Sequence, residues 1–144
     1  MQFNIHIVKA LIRKIVGVSH NSEPMLYRRE LFLELMSLIG KDYFENTRLL
    51  EIGPKDGLDS YRLASLKPAE LVLVDLPEKR SLIEGWLHKI VCPYKFIEAN
   101  MMYMSNEEFV SFGKFHLIWC TGVLYHNAEQ LRFLRKLHNL LHPG

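Results

Sequence analysis

Leu49-Leu50-Glu51-Ile52-Gly53-Pro54-Lys55-Asp56-Gly57 is the stretch on which the fold turns. The apolar run 48–52 is too short for a helix of its own and carries Leu and Ile, so it reads as a buried parallel strand. It contains an acid, Glu51, and passes into Gly53 and Gly57. Those glycines remove side chains where a backbone bends tightly and let a ligand come close. Strand, glycine turn and helix also build the dinucleotide-binding unit, whose fingerprint is Gly-x-Gly-x-x-Gly. Here Lys55 stands where the second glycine belongs, and the pattern is Glu-x-Gly-x-x-x-Gly.

Downstream the layout repeats. Residues 59–66 give a short helix, and Pro68 marks the way out of it. Glu70-Leu71-Val72-Leu73-Val74-Asp75 is again an apolar strand ending in a carboxylate. Asp75 lies 22 residues beyond Gly53, the spacing at which an acid closing a second strand accepts hydrogen bonds from ribose hydroxyls. Taken alone, an Asp after a strand is a helix cap. Residues 77–90 read as the next helix, with Pro77 near its first position, and Tyr94–Glu98 as a third strand leading into Ala99-Asn100. Ser105 with Glu108 forms a capping box, opening a helix to about Phe112. Residues 115–121 make a fourth strand, followed by the loop Gly122-Val123-Leu124-Tyr125-His126. Asn127 with Gln130 predicts another cap, before a helix that turns Leu131, Leu134, Leu137 and Leu141 inward. Four strands alternating with helices imply a parallel α/β sheet with ligands at the strands' carboxyl ends.

Upstream, Ile5, Val8, Leu11, Ile12, Ile15 and Val16 recur at helical spacing, with Lys9, Arg13 and Lys14 mostly between them. That stripe either covers core or meets a membrane surface or partner. After a polar break over 17–24, residues 25–39 predict a second helix, with Leu31, Leu35 and Leu38 on one side and Gly40 as its C-cap. The expected division is therefore an N-terminal helical cap over 1–47 and an α/β domain over 48–144. At 144 residues the chain is one domain's worth. Its net charge of +2 does not mark a nucleic-acid binder, and two cysteines make neither a disulfide framework nor a metal site, which fits a reducing, cytoplasmic setting. No apolar run approaches the roughly twenty residues of a membrane span.

These residues resemble a class I S-adenosylmethionine-dependent methyltransferase, over roughly 48–144. The resemblance rests on Glu51-Ile52-Gly53 with Gly57, on Asp75 and on the fourth strand with its loop, 115–126. The ending Gly-Val-Leu-Tyr-His, with the Asp56-Gly57 pair, is similar both to the tRNA wobble-uridine carboxymethyltransferase-like branch and to many small-molecule methyltransferases. It implies a Rossmann-like sheet, S-adenosylmethionine as cofactor and an unidentified methyl acceptor, small molecule or RNA. Glu51, Gly53, Pro54, Lys55 and Gly57 would cradle the methionine part, and Asp75 with Leu76 the ribose. Asn100, where Asp is usual, would meet the adenine amino group together with Met101, and Thr121 with Gly122 would face the reacting end. Lys55 replaces a glycine common in this turn; its ammonium either pairs with the cofactor carboxylate or points to water. The resemblance also implies a fifth strand and an antiparallel pair. The sequence stops at Leu141-His142-Pro143-Gly144, which predicts a sheet truncated to about four parallel strands, with the fourth at an open edge.

Methyl transfer from a sulfonium asks mainly for alignment, and a base matters only when the nucleophile arrives protonated. Tyr125 and His126 are the candidate catalytic residues, against a reading in which Tyr125 packs beside the cofactor and His126 orients the next helix. Cys120 reads as a small buried residue, His116 as a residue at the far end of its strand, and no residues have metal-ligand spacing. An alternative to an enzyme is a non-catalytic binding or assembly module, its edge completed by a second copy or a partner chain. A nicotinamide-dependent oxidoreductase ranks below both, because Lys55 breaks the fingerprint. Arg28 and Arg29, with Lys9, Arg13 and Lys14, either steer toward RNA or form a solvated face.

Overall fold

The computed structural model describes residues 26–143. The helix expected over 5–16, its three cations, the break at 17–24, Met25 and Gly144 lie outside the described residues. Two compact units divide between Tyr43 and Phe44. In the first, helix α1 spans Leu26–Ile39 and stops at Gly40, whose φ of +86° suits glycine and whose N–H donates to the Met36 carbonyl. The buried stripe of α1 runs through Arg28, Phe32, Leu35 and Met36. Leu38 is exposed and Leu31 only half-buried, which corrects the expected face: at 100° per residue both sit on the shoulder of that stripe. Arg28, 6% exposed, is likewise not part of a solvated face.

The second unit is the α/β sheet. Strands β1 (Arg48–Ile52), β2 (Glu70–Asp75), β3 (Tyr94–Glu98) and β4 (Leu117–Trp119) pair in parallel in the order β3-β2-β1-β4. The central pair aligns Arg48 with Glu70 and Ile52 with Val74, so both strands end level, at the turn and at Asp75. Connecting them are α2 (Leu58–Ala64), α3 (Arg80–Leu87) and α4 (Asn106–Ser111), and α5 (Gln130–His138) follows β4. Because strand side chains alternate, Leu50, Ile52, Val72 and Val74 share one core with Phe109 of α4 and with Phe133, Leu137 and Leu140. Phe115 and Met101 complete it.

Several boundaries differ from expectation. The segment after β2 opens with a 3-10 turn over Pro77–Lys79, and its α-helix ends at Leu87 rather than residue 90. Strand β4 is three residues long, not seven. The capping box forms as expected, Ser105 Oγ accepting from Glu108 N–H and the Glu108 carboxylate from Ser105 N–H. The cap expected of Asn127 does not: its Oδ1 accepts from Glu129 N–H in a local turn, and α5 starts only at Gln130. Phe133, Leu137 and Leu140 point inward, Leu137 as expected, while Leu131 is 81% and Leu134 44% exposed, which corrects the expected face. Leu141 instead forms a parallel bridge with Phe115, flanked by bonds from Phe115 N–H to Leu140 O and from His142 N–H to Phe115 O.

Candidate functional site

At the carboxyl end of β1 the chain enters the left-handed region three times, at Gly53 (φ +69°), Lys55 (φ +57°) and Gly57 (φ +83°). Gly53 N–H still belongs to the sheet, donating to Val74 O, and Gly57 N–H closes the turn on Pro54 O. Between them Lys55 N–H donates to Asp75 Oδ2 at 3.2 Å, while Asp75 Oδ1 accepts from Leu76 N–H at 2.8 Å. Asp75 thus ties the turn after β1 to the end of β2. A carboxylate has about four acceptor positions, and these two bonds leave further lone pairs at the strand ends. Lys55 itself is exposed.

Both glycines are also close approaches. A Cβ on Gly57 would lie 2.7 Å from Ile83 Cγ1 and 3.0 Å from Trp86 Cβ, so α3 packs directly against the turn. A Cβ on Gly53 would come within 3.0 Å of Val123 Cγ2. Val123, from the loop after β4, therefore lies on the turn after β1. Sequence reading singled out that loop but not this residue; the signal available was a β-branched apolar side chain inside a loop.

Beneath the turn is a buried polar network that the sequence reading also missed. Asp59, 2% exposed at the start of α2, accepts from Trp119 Nε1–H of β4 at 3.1 Å and from Arg62 Nη1 at 2.6 Å. Glu51, 1% exposed, accepts from Ser60 Oγ. Buried carboxylates are tolerated only when satisfied in this way. The cue was in Trp119, since an indole N–H in a buried strand needs an acceptor. Through Ser60, Glu51 anchors α2 below the turn. Met101, 3% exposed, fills the core with its side chain.

Of the remaining candidates, Asn100 follows β3 half-buried, its Oδ1 accepting from Met102 N–H at 3.1 Å. The carbonyl expected to read adenine thus already makes one bond and retains a second lone pair. Thr121 and Gly122 are half-buried after β4, and Pro54 is buried within the turn. Tyr125 and His126 lie exposed in a 3-10 turn over Leu124–His126, their rings 4.1 Å apart and tilted by 45°. Cys120 is half-buried, and burial pushes its thiol up to about 11, which suits packing rather than nucleophilic attack. His116, at the amino end of β4, accepts from Arg48 N–H through Nδ1. Among the described residues no helix is long and apolar enough to cross a membrane.

No family model matches the chain. It is similar to the tRNA U34 carboxymethyltransferase of Desulforapulum autotrophicum, 30% identical over 105 residues, covering 67% of this chain and 29% of that protein. The protein of the same name from Nautilia profundicola is 27% identical over 103 residues, covering 69% and 32%. The chain thus spans less than a third of the length of these curated relatives. Among solved structures, the N-terminal domain of EvdMO1 with S-adenosylhomocysteine bound superposes with a TM-score of 0.63 at 20% identity, over 76% of this chain and 45% of that one. A putative methyltransferase from Bacillus halodurans gives 0.63 at 15% identity, over 78% and 47%. With a parallel sheet in the order β3-β2-β1-β4, a glycine turn closing β1 and an acid closing β2, the chain has the fold of the class I S-adenosylmethionine-dependent methyltransferases.

Proposed function

We propose that this chain is the cofactor-binding part of an S-adenosylmethionine-dependent methyltransferase, with 48–144 as its binding domain and 1–47 as a helical cap. The observation that carries the reading is the turn 53–57, held left-handed at three positions and tied through Lys55 N–H to Asp75. It forms an open backbone shelf beside a carboxylate, a shape and charge that fit the methionine and ribose parts of the cofactor. The S-adenosylhomocysteine in one structural neighbour and the carboxymethyltransferase names of the curated relatives support the same assignment.

In this reading Gly53, Pro54, Lys55 and Gly57 would hold the methionine part, Asp75 and Leu76 the ribose, and Asn100 the adenine. Thr121 and Gly122 would face the sulfonium, which supplies an electrophilic methyl group to a nucleophile aligned with it. Tyr125 and His126, exposed in the loop after β4, would orient an acceptor or take its proton. Calorimetric titration of the folded chain with S-adenosylhomocysteine tests the assignment. Saturable binding is expected; its absence at millimolar ligand removes it.

A second reading follows from Leu131 and Leu134, exposed on α5. Exposed apolar residues side by side on one helix suit a module completed by a second copy or a partner chain. A monomer by light scattering that also methylates an acceptor would exclude it.

A further inference from the structure

On the α4/α5 side of the sheet, an open cleft of about 370 Å³ lies between the segment after β3 and the first turns of α5. Ligand sites commonly run to roughly 300–1,000 Å³. Its position follows from topology, because residues leaving β3 and β4 at their carboxyl ends converge there. The residues described so far leave it without a role.

The lining is selective in its chemistry. Arg132 and Lys136 stand one helical turn apart on α5, so both cations reach the same wall. Lys136 is fixed there: its Nζ donates to Met104 O at 2.8 Å and lies 5.0 Å from the Phe109 ring centre. An ammonium has three donors, and Met104 takes one. Arg132 is paired with Glu129 at 3.0 Å, but the two side chains are 69% and 65% exposed, and an ion pair so hydrated is readily exchanged for a doubly charged anion. Opposite stands Tyr103, 86% exposed, an unusual degree of exposure for an aromatic side chain and a flat face for stacking. Asn106 and Asn127 add amide groups of the kind that pair with the edge of a heterocycle.

We propose that this cleft binds a nucleotide, its base against Tyr103 and its phosphate on Arg132 and Lys136. Two cations against one displaceable carboxylate favour the phosphate, and an exposed ring with flanking amides favours a planar heterocycle over a simple anion. The site is separate from the glycine turn and does not require the cofactor reading.

The test is a titration of the isotope-labelled chain, followed by amide chemical shifts, with cytidine 5′-monophosphate, cytidine and inorganic phosphate. A pyrimidine is used because it lacks the adenine expected at Asn100. Saturable shifts confined to 102–106 and 127–136 are expected with the nucleotide, with cytidine and phosphate each binding more weakly. The double variant Arg132→Gln/Lys136→Met should weaken nucleotide binding at least roughly tenfold, and Tyr103→Ala should weaken it while leaving phosphate unchanged. Both changes fall on exposed or half-buried positions, and an unaltered amide spectrum elsewhere shows that the fold is kept. A short single-stranded RNA distinguishes the source, binding tighter than the mononucleotide if the site serves a nucleotide within a strand. No saturable nucleotide binding, phosphate binding as tightly as the nucleotide, or an unaffected double variant would each overturn the proposal. S-adenosylhomocysteine titrated in parallel separates the two assignments: if it fails while the nucleotide binds, the cofactor reading falls and the cleft stands.

Discussion

Substituting Gly53 by alanine tests the claim that the loop after β4 is seated on the turn after β1. The new Cβ meets two separate obstacles. Gly53 has φ +69°, and a non-glycine residue held in the left-handed region costs about 1 to 2 kcal/mol. The Cβ would also lie within 3.0 Å of Val123 Cγ2, a separation that real Cβ atoms essentially never show. Forcing an atom into such a contact costs about 1 to 3 kcal/mol. The sum, about 2 to 5 kcal/mol, is a large part of the stability of a small domain. The two parts separate in a double-mutant cycle. Val123→Ala alone should cost about 1 kcal/mol, since this half-buried side chain loses only part of its contact. In the Gly53→Ala background the same change should restore about 1 to 3 kcal/mol, leaving the backbone part in place. Urea unfolding followed by fluorescence of Trp86 and Trp119 measures all four corners at constant m-value. Additive effects would refute the contact between turn and loop. A Gly53→Ala cost below about 1 kcal/mol would refute the backbone argument as well.

Three further outcomes are expected. Asp75→Ala removes the acceptor of Lys55 N–H and should both lower stability by about 1 to 3 kcal/mol and reduce S-adenosylhomocysteine affinity at least tenfold by calorimetry; a loss of stability with affinity intact would detach Asp75 from the ribose role. Trp119→Phe keeps an aromatic ring in the core but removes both the indole N–H that buried Asp59 accepts and part of the ring volume, and should lower the midpoint of thermal unfolding by the equivalent of at least about 1 to 3 kcal/mol. Cys120 should alkylate slowly near neutrality, because a thiol held at about 11 is ionised in roughly one molecule in ten thousand at pH 7. Burial raises this thiol from an ordinary 9.0, so above that pH the unfolded chain gives up its proton first, and stability should fall as pH rises from about 9 to about 11. Cys120→Ala should flatten that part of the profile, and an unchanged profile would sink the assignment.

The parts of the fold that were legible from the sequence are those in which a short-range pattern and the burial demand agree. β1, β2 and β3 carry their expected boundaries because each is a compact run bounded by glycine, proline or an acid. Ser105 and Glu108 satisfy each other within one turn of chain and need nothing from the rest of the molecule. Helix α5 was misread for the opposite reason. It starts later than the expected cap, because Asn127 has a local alternative, bonding Glu129 N–H two residues on. Its inward face is set separately, by Phe133 and Leu137 four residues apart with Leu140 just beyond, while Leu131 and Leu134 fall outside that stripe. Val123 and Asp59 were illegible because their partners, Gly53 and Trp119, lie far away in sequence. No local period encodes such a meeting.

Lys55 joins these levels. In the sequence it looks like a defect in a glycine pattern, yet the backbone at Lys55 keeps the left-handed conformation a glycine would adopt, φ +57°. A residue with a Cβ does not stay there unaided. Three neighbours hold it: Asp75 takes its N–H, Val123 bears on Gly53 before it, and Ile83 with Trp86 bears on Gly57 after it. These come from β2, the loop after β4 and α3, so the shape of the turn is a property of the assembled sheet and not of its own five residues. A shelf fixed from three sides needs little reordering when a ligand arrives, and less of the binding energy is then lost to conformational entropy. The same reasoning locates its weak point at Asp75, the one of the three supports to which the proposed function also gives a ligand-binding role. A ribose that drew this carboxylate away from Lys55 N–H would loosen the turn it binds beside, so productive binding requires Asp75 to serve both through different lone pairs.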